Sequence, residues 1–295
     1  MIKDITAKVL LNTVQQPDDW FGLKYNMNLY RGCQHQCIYC DSRSACYRIE
    51  KFSDILVKVN AIELLRHELS RKRVKGTIGT GSMNDPYMPL EAQRKLTRKA
   101  LQVIAEYRYP VHIITKSDLV LRDLDILREI NQVYAAVSIT ITTADDRLGS
   151  KIEPGAAKVS ARFKALQTLV ENGITAGVTL MPVLPFLEDN LENIRQIVFL
   201  AHHAGAKYII PSFGMTLRDR QREYYFQKLD LLFPGLKDKY KRKFGFNYQA
   251  AANNSANLRQ KFQEWCQELD IVTRIPQYSP PQADQMPLFA NLTEA

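Results

Sequence analysis

The sequence predicts an α/β fold in which six β/α units form a partial or full barrel. Apolar runs with strand character alternate with longer segments whose apolar residues recur at helical spacing. Two of these helical segments end just before a glycine, Gly173 or Gly205, where a left-handed C-cap is expected. Consecutive β-then-α units imply parallel strands joined by right-handed crossovers, and such crossovers curl a sheet toward a barrel.

The predicted elements follow one another along residues 25–210. We expect strands at residues 25–30, 76–79, 111–115, 135–141, 175–181 and 207–210. We expect helices between them at residues 53–71, 90–107, 121–130, 157–171 and 190–203. In such a fold the loops at the carboxyl ends of the strands form the active site. A cysteine-rich loop follows the first strand, so it is predicted to lie at that end.

Length and composition allow one barrel with additions at both ends. The 295 residues are 45% hydrophobic and 24% charged, which is an ordinary globular composition. We expect an N-terminal extension (1–23), a core barrel (24–215), a basic and aromatic helical region (216–275) and an extended tail rich in proline and glutamine (276–295). The sequence has no apolar run of about 18 residues and no secretory-signal pattern, so we expect a cytoplasmic protein without a membrane span.

The charge balance suits a polyanionic partner such as DNA or RNA, because the net charge is +9 and the pI about 9.2. Cations and aromatic residues are concentrated in what we call the basic–aromatic stretch, residues 218–248. Basic groups can neutralise phosphates and rings can stack on bases, but two amphipathic helices packed on a barrel give the same pattern. The stretch contains Arg218, Arg220, Arg222, Lys228, Lys237, Lys239, Lys241, Arg242 and Lys243, with Tyr224, Tyr225, Phe226, Phe233, Tyr240, Phe244 and Phe246.

Four of the five cysteines fall between positions 33 and 46, and the fifth is Cys266. An odd total of five cysteines without a secretion signal argues against a disulfide framework, and their clustering argues for a metal or redox site. Cys33, Cys37 and Cys40 have the spacing C-x3-C-x2-C, and thiolates select iron–sulfur clusters or zinc. A structural zinc site needs a fourth ligand, for which Cys46 is a candidate. Three thiolates on a four-iron cluster instead leave one iron open for a cofactor.

The sequence RGCQHQCIYCD at residues 31–41 resembles the radical S-adenosylmethionine (SAM) motif. Together with GTGSMNDPYMPLE, HIITKS and AVSIT, it is similar to the spore photoproduct lyase family of that class, over roughly residues 24–215. The resemblance implies a barrel of the radical SAM type, a [4Fe–4S] cluster on Cys33, Cys37 and Cys40, and SAM as a second cofactor. It also implies an enzyme that cleaves SAM to a 5′-deoxyadenosyl radical, and an electron donor such as ferredoxin or flavodoxin.

The resemblance further implies roles for single residues near the strand ends. Tyr39 would pack over SAM near the cluster and is a candidate catalytic residue. Lys116, after the third strand, would reach the carboxylate of SAM, and Ser138, in the fourth strand, would hydrogen-bond to its polar end. The residues themselves favour an anion-binding role for Lys116, because it ends an apolar strand between Thr115 and Ser117. A small residue such as Ser138 would also suit a barrel interior without any ligand.

The loop after the second strand combines candidate site residues with a departure from the family. Ser82, Asn84 and Asp85 are predicted to line the cavity near the SAM amino group or the substrate, although Asp85 also suits a turn. Ser82 is the second candidate catalytic residue, but it stands where spore photoproduct lyase has a hydrogen-donor cysteine. The lyase also has a second tyrosine where this chain has Asp41. The sequence therefore predicts a relative of the lyase that acts on another substrate.

Three kinds of function remain open at this point. The leading hypothesis is a radical enzyme that acts on a nucleic acid or a nucleotide. The second is a radical enzyme that modifies a peptide or a small molecule, since a fold does not fix a substrate. The third is a non-enzymatic cysteine–metal module that binds nucleic acid.

Overall fold

The computed structural model describes residues 1–15 and 20–280, and strands make up its centre. The strands are β1 (Ile2–Ile5), β2 (Leu11–Thr13), β3 (Tyr25–Met27), β4 (Tyr30–Arg31), β5 (Ile55–Lys58), β6 (Ile78–Thr80), β7 (Val111–Thr115), β8 (Ala135–Thr140), β9 (Thr175–Leu180), β10 (Ile209–Pro211), β11 (Gly214–Thr216) and β12 (Gln249–Ala251). The helices are α1 (Ala61–Arg71), α2 (Glu91–Arg94), α3 (Leu96–Glu106), α4 (Leu124–Ile130), α5 (Asp146–Ile152), α6 (Val159–Glu171), α7 (Leu191–His203), α8 (Gln221–Leu232), α9 (Leu236–Phe244) and α10 (Ser255–Glu268).

The main sheet has seven strands in the order β10-β9-β8-β7-β6-β3-β2. Neighbours from β3 to β10 are parallel, and β2 pairs antiparallel with β3 at the edge. The parallel strands are thus neighbours in chain order, with helices in the crossovers, as the alternation of apolar patterns predicted. The prediction of a partial barrel of β/α units is confirmed. Every residue of β8 is buried, as expected for a strand covered on both faces.

Helix ends follow the local sequence signals. The side chain of Asn190 accepts a hydrogen bond from the backbone N–H of Asn193 at 2.9 Å, which caps the start of α7. Gly205, just beyond its end, has φ of +76°, in the left-handed region that glycine adopts without strain. The predicted helix at 90–107 is divided into α2 and α3 at Lys95, whose φ is +51°.

Two predicted elements near the cysteine loop are wrong in part. The strand predicted at 25–30 ends at Met27, and Tyr30–Arg31 pairs with β5 in a separate three-stranded sheet, β1-β5-β4. The helix predicted at 53–71 begins only at Ala61, because Ile55–Lys58 is strand β5. Ile55 and Val57 alternate with less buried neighbours, which is the two-residue period of a strand. Apolar residues spaced at 55, 59 and 62 also fit a helix, and that coincidence misled the prediction.

The two ends of the chain add to this core. Strands β1 and β2, which the sequence patterns left unassigned, pair with β5 and β3. After β10, strands β11 and β12 form an antiparallel pair, and α8 and α9 lie between them in the sequence. Helix α10 packs against α7. Of the predicted tail, residues 276–280 have no regular secondary structure and 281–295 lie outside the described residues. Within residues 1–15 and 20–280, none of the helices combines the length and apolar character needed to cross a membrane.

Candidate active site

A cavity of about 760 Å³ opens inside the barrel. Its wall includes two of the three motif cysteines and three further predicted site residues, namely Cys37, Tyr39, Cys40, Ser82 and Lys116. The strands contribute Asn26, His112, Thr140, Thr179 and Thr216, and Met181, directly after β9, also lines the cavity. The volume lies within the usual range of small-molecule sites, and the loops that follow the parallel strands supply much of the wall, as the fold requires.

The cysteine loop follows β4 and is held by its backbone. At Gly32, φ is +78° and a Cβ atom would lie 2.2 Å from the backbone oxygen of Asp54, so only glycine fits. Further along, the backbone N–H of Ile38 donates to the oxygen of Ile152 at 2.9 Å. The N–H of Gly155 donates to the oxygen of His35 at 2.9 Å. These two hydrogen bonds fix the loop against the end of α5 and the residues that follow it.

All three motif cysteines are free thiols in this loop. Cys33 and Cys37 are each 7% exposed and Cys40 is half-buried. Burial raises the pKa of all three, that of Cys33 to about 12, so a bound cation is needed to keep them as thiolates. Cys46 differs because it is exposed, and its sulfur accepts a hydrogen bond from Arg218 at 3.2 Å.

Lys116 lies at the carboxyl end of β7, beside the thiols. Its Nζ atom is 3.9 Å from Oε1 of Glu153 and 5.8 Å from the centre of the Tyr39 ring. Burial alone would lower the pKa of Lys116, but Cys37 and Glu153 raise it above its ordinary value. The side chain is therefore a cation held at the cavity wall, with part of its surface still open to a ligand.

Behind Lys116 lies an ion pair that sequence reasoning missed. Glu153 and Arg162 are each 1% exposed, and Arg162 Nη1 lies 2.5 Å from Glu153 Oε2. The hydroxyl of Tyr39 donates to Oε1 of the same carboxylate. One sequence signal could have revealed the pair, because Arg162 falls on the apolar face of its helix, three residues after Val159 and four before Leu166. A charge at such a position needs a buried partner.

Asn84 and Asp85 lie behind the cavity wall and bind protein groups. Asn84 Nδ2 donates to the backbone oxygen of Tyr30 at 2.7 Å. Asp85 accepts hydrogen bonds from the Thr115 hydroxyl and the Lys116 backbone N–H, both at 2.7 Å. His35 Nδ1 lies 3.2 Å from the same carboxylate. Burial opposes ionisation of Asp85, but these partners outweigh it and hold its pKa at about 2. Asp85 thus ties the cysteine loop to the end of β7.

The other two predicted residues differ in their access to the cavity. Ser82 lies on the wall and accepts a hydrogen bond from Asn26 Nδ2 at 3.0 Å. Ser138 is fully buried, and its hydroxyl lies 2.8 Å from His112 Nε2 and 2.7 Å from the Tyr208 hydroxyl. The structure thus brings Tyr39, Ser82 and Lys116 to the cavity. Cofactor-binding roles for Ser138 and the two residues behind the wall stay predictions.

The basic–aromatic stretch forms α8, α9 and the loops around them. Most of its rings are core residues, and Tyr240 packs edge-on against Tyr225 and Phe226. Arg222 donates to four backbone oxygens, those of Leu217, Gly245, Phe246 and Asn247. Lys239, Lys241, Arg242 and the 99% exposed Phe246 remain on the surface.

Comparison with known proteins places the chain in a family. The radical SAM superfamily matches residues 27–199. The uncharacterized protein MJ0683 of Methanocaldococcus jannaschii is 38% identical over 188 residues, which are 63% of this chain and 68% of that protein. The uncharacterized protein Rv2578c of Mycobacterium tuberculosis is 30% identical over 246 residues, or 81% and 72% of the two chains.

Among solved structures, the fold is similar to that of a spore photoproduct lyase mutant with bound AdoMet (SAM) and dinucleoside spore photoproduct. The TM-score is 0.68 at 13% identity, covering 93% of this chain and 82% of that one. At this identity the likeness concerns the fold. The chain belongs to the radical SAM superfamily, a family of enzymes that use S-adenosylmethionine and an iron–sulfur cluster.

Proposed function

We propose that this enzyme binds a [4Fe–4S] cluster on Cys33, Cys37 and Cys40 and acts on a nucleic acid or nucleotide bound in the barrel cavity. The observation that carries the proposal is the position of Cys37, Cys40 and Lys116 on one cavity wall. When bound, the cluster and SAM supply a 5′-deoxyadenosyl radical that abstracts hydrogen from the substrate.

The donor set fits a four-iron cluster better than zinc. Three soft thiols lie in one loop, whereas Cys46, the candidate fourth zinc ligand, is exposed and accepts a hydrogen bond from Arg218. A structural zinc site requires four ligands around one ion, whereas a cubane places each cysteine on a different iron, so its ligands do not have to meet at one point.

The residues around the thiols suit the charged end of SAM. Lys116 would pair with the carboxylate through a charge-assisted hydrogen bond. Glu153 keeps Lys116 and the Tyr39 hydroxyl in place, so the ring of Tyr39 would cover the cofactor without having to reorient. Met181 and Pro182, after β9, also line the cavity and are the residues we expect near the adenosine.

The rest of the cavity favours an uncharged, hydrogen-bonding substrate group such as a nucleobase. Asn26, Ser82, Thr140 and Thr179 supply neutral polar groups on the wall. Outside the cavity, the exposed cations of α9 offer sites for phosphates. The dinucleoside bound by the similar lyase structure supports the same substrate class.

The proposal is tested by anaerobic reconstitution of the full chain. Wild type should hold about four irons and form 5′-deoxyadenosine, faster when its nucleic-acid substrate is present. Cys33→Ala, Cys37→Ala and Cys40→Ala should each lose the iron, whereas Cys46→Ala and Cys266→Ala should keep it. Bound zinc that is lost in Cys46→Ala would exclude the cluster. Stimulation by peptides but not by DNA or RNA would exclude the proposed substrate.

A further inference from the structure

A half-buried arginine, Arg43, follows the last motif cysteine and is held in one place. Its guanidinium carbon lies 3.6 Å from the ring centre of Tyr224 and 4.5 Å from that of Phe52. Its Nη2 donates to Oε1 of Gln36 at 2.7 Å, and its backbone N–H donates to the oxygen of Cys40 at 3.2 Å. The cysteine loop, the residues after it and helix α8 thus all contribute to the position of this cation.

Gln36 connects the guanidinium to the turn that carries the thiols. It stands between the first two motif cysteines, and its Nε2 donates to the backbone oxygen of Cys33. Oε1 of the same amide accepts from Arg43, so a single side chain bridges the cation and the Cys33 backbone. The charge of Arg43 is therefore held close to the loop and cannot swing freely into solvent.

Arg43 has no carboxylate partner. Among the residues that the structure describes, no Asp or Glu forms an ion pair with it. Burial lowers the pKa of Arg43, and the groups that oppose this effect are the phenol of Tyr224 and the three motif thiols. Arginine stays charged in proteins, and a cation that is partly removed from water is costly unless an anion faces it. Contacts with two rings stabilise the cation without neutralising it.

Two other cations near the thiols differ from Arg43 in this respect. Cys37 acts on the pKa of both Lys116 and Arg162. Each of these two side chains faces Glu153, at 3.9 Å and 2.5 Å respectively. The carboxylate of SAM would pair with Lys116 as well. Arg43 is left with the cysteine side of the loop, where the anion to be expected is a cluster bound through thiolates.

We propose that Arg43 raises the reduction potential of the iron–sulfur cluster by stabilising its reduced form. The inference rests on the cluster proposed above for Cys33, Cys37 and Cys40. Reduction adds one electron from an external one-electron donor and breaks no bond, so the cluster gains one unit of negative charge. A fixed cation nearby favours the more negative state by Coulomb attraction. Arg43 acts through its charge from outside the ligand set and is not a ligand.

The reduction potential of the reconstituted enzyme, titrated without SAM and followed by EPR of the reduced cluster, tests the inference. Arg43→Met removes the charge and keeps an unbranched side chain of similar length. It should reduce the equilibrium constant for reduction about tenfold or more, which lowers the midpoint potential by about 59 mV or more for one electron. Arg43→Lys keeps the charge and should restore most of the potential. The difference should persist at high salt, because partly buried charges are screened much less than exposed ones.

The matched control is Arg48→Met, which removes the same charge from the same segment. The Arg48 side chain is exposed, so water and salt screen it and the potential should stay close to that of wild type. Equal potentials in wild type and Arg43→Met would overturn the inference. Equal shifts in Arg43→Met and Arg48→Met would also overturn it, because the effect would then come from the overall field of the protein.

Iron analysis separates the remaining outcomes. If Arg43→Met holds no iron, Arg43→Lys decides. A cluster in Arg43→Lys with a potential near that of wild type supports the role of the charge, whereas a much lower potential, or loss of iron in both variants, overturns it. If wild type itself takes up no four-iron cluster, the proposed function fails and this inference falls with it. A wild-type cluster whose potential does not respond to Arg43 overturns this inference alone.

Discussion

Two buried glutamates behind the cysteine loop have pKa values shifted in opposite directions. Burial raises the pKa of both, but Arg162 and Lys116 outweigh it at Glu153 and lower the pKa below its ordinary value. At Glu188, burial raises the pKa well above 4.5, and hydrogen bonds from Thr142 and the Leu184 backbone only partly oppose the rise. Glu153 is therefore an anion that can hold cations in place, whereas burial shifts Glu188 toward its neutral form.

The raised pKa of Glu188 predicts a pH-dependent effect of Glu188→Gln. A folded-state pKa above the unfolded value means that the folded protein binds more protons, so this residue's stabilising contribution falls as pH rises above about 4.5. Glutamine does not titrate, so the unfolding free energy of Glu188→Gln relative to wild type should increase with pH. Urea unfolding of the metal-free protein across the pH range measures this difference.

The contrasting variant is Glu153→Gln. It removes a charge that Arg162 and Lys116 both need, and it leaves Arg162 as an unpaired buried cation. Breaking a buried ion pair in this way costs about 3–5 kcal/mol, so Glu153→Gln should be much less stable than Glu188→Gln near neutral pH. Equal loss in the two variants would contradict the assigned charge states.

A second prediction concerns Lys116. Lys116→Ala removes the cation at the cavity wall, so SAM affinity should fall about tenfold or more, the usual loss for a charge-assisted hydrogen bond. Iron content should not change, because Lys116 is not a candidate ligand of the cluster. Equilibrium binding of SAM to the reconstituted protein measures the effect. Lys164→Ala, at an exposed position on α6, is the control and should bind SAM as wild type does.

At the level of elements, the periodicity of apolar residues predicted the parallel strands well and the small sheet poorly. β7 and β9 lie where the sequence predicted strands, because each is an apolar run bounded by turn residues. Strands β4, β5 and β11 have only two to four residues. In such short segments the helical and strand periods cannot be told apart, and pairing with distant residues decides the structure.

Helix α9 carries the third prediction. Its buried face holds Tyr240 and Phe244, and Lys239, Lys241 and Arg242 are exposed. If these three cations contact phosphates, changing them to Glu should flatten the slope of log affinity against log salt by about two to three. Binding of labelled single-stranded DNA over a range of salt concentrations measures the slope.

The control for α9 reverses three exposed cations elsewhere, Arg73, Lys99 and Lys164. This variant changes the net charge by the same amount, so it separates local phosphate contacts from the overall field of the protein. Lys243 is left unchanged because its Nζ packs 5.4 Å from the ring centres of Phe186 and Phe244. Equal slopes in the two triple variants would mean that α9 is not a phosphate-binding surface.

For the molecule as a whole, the sequence predicted the parts of the site that lie in short motifs. The cysteine loop and Lys116 belong to contiguous segments whose spacing or position reports their chemistry. Glu153 could not be assigned in this way, because its role depends on contacts with Tyr39 and Lys116, which are distant in sequence. Its burial and these contacts appear only in the folded molecule.

The last prediction is that the reconstituted enzyme does not repair spore photoproduct. In the lyase family that this sequence resembles, a cysteine stands at the position of Ser82 and quenches the substrate radical. Ser82 lines the cavity next to Asn26. A serine O–H bond is much stronger than a thiol S–H bond, so Ser82 cannot readily donate a hydrogen atom. Asp41, where the lyase has a tyrosine, is engaged by Thr216 and Arg218 and supplies no phenol. Incubation with dinucleoside spore photoproduct should therefore yield no more thymine dinucleotide than the Cys33→Ala control, and repair above that level would show that another residue donates the hydrogen.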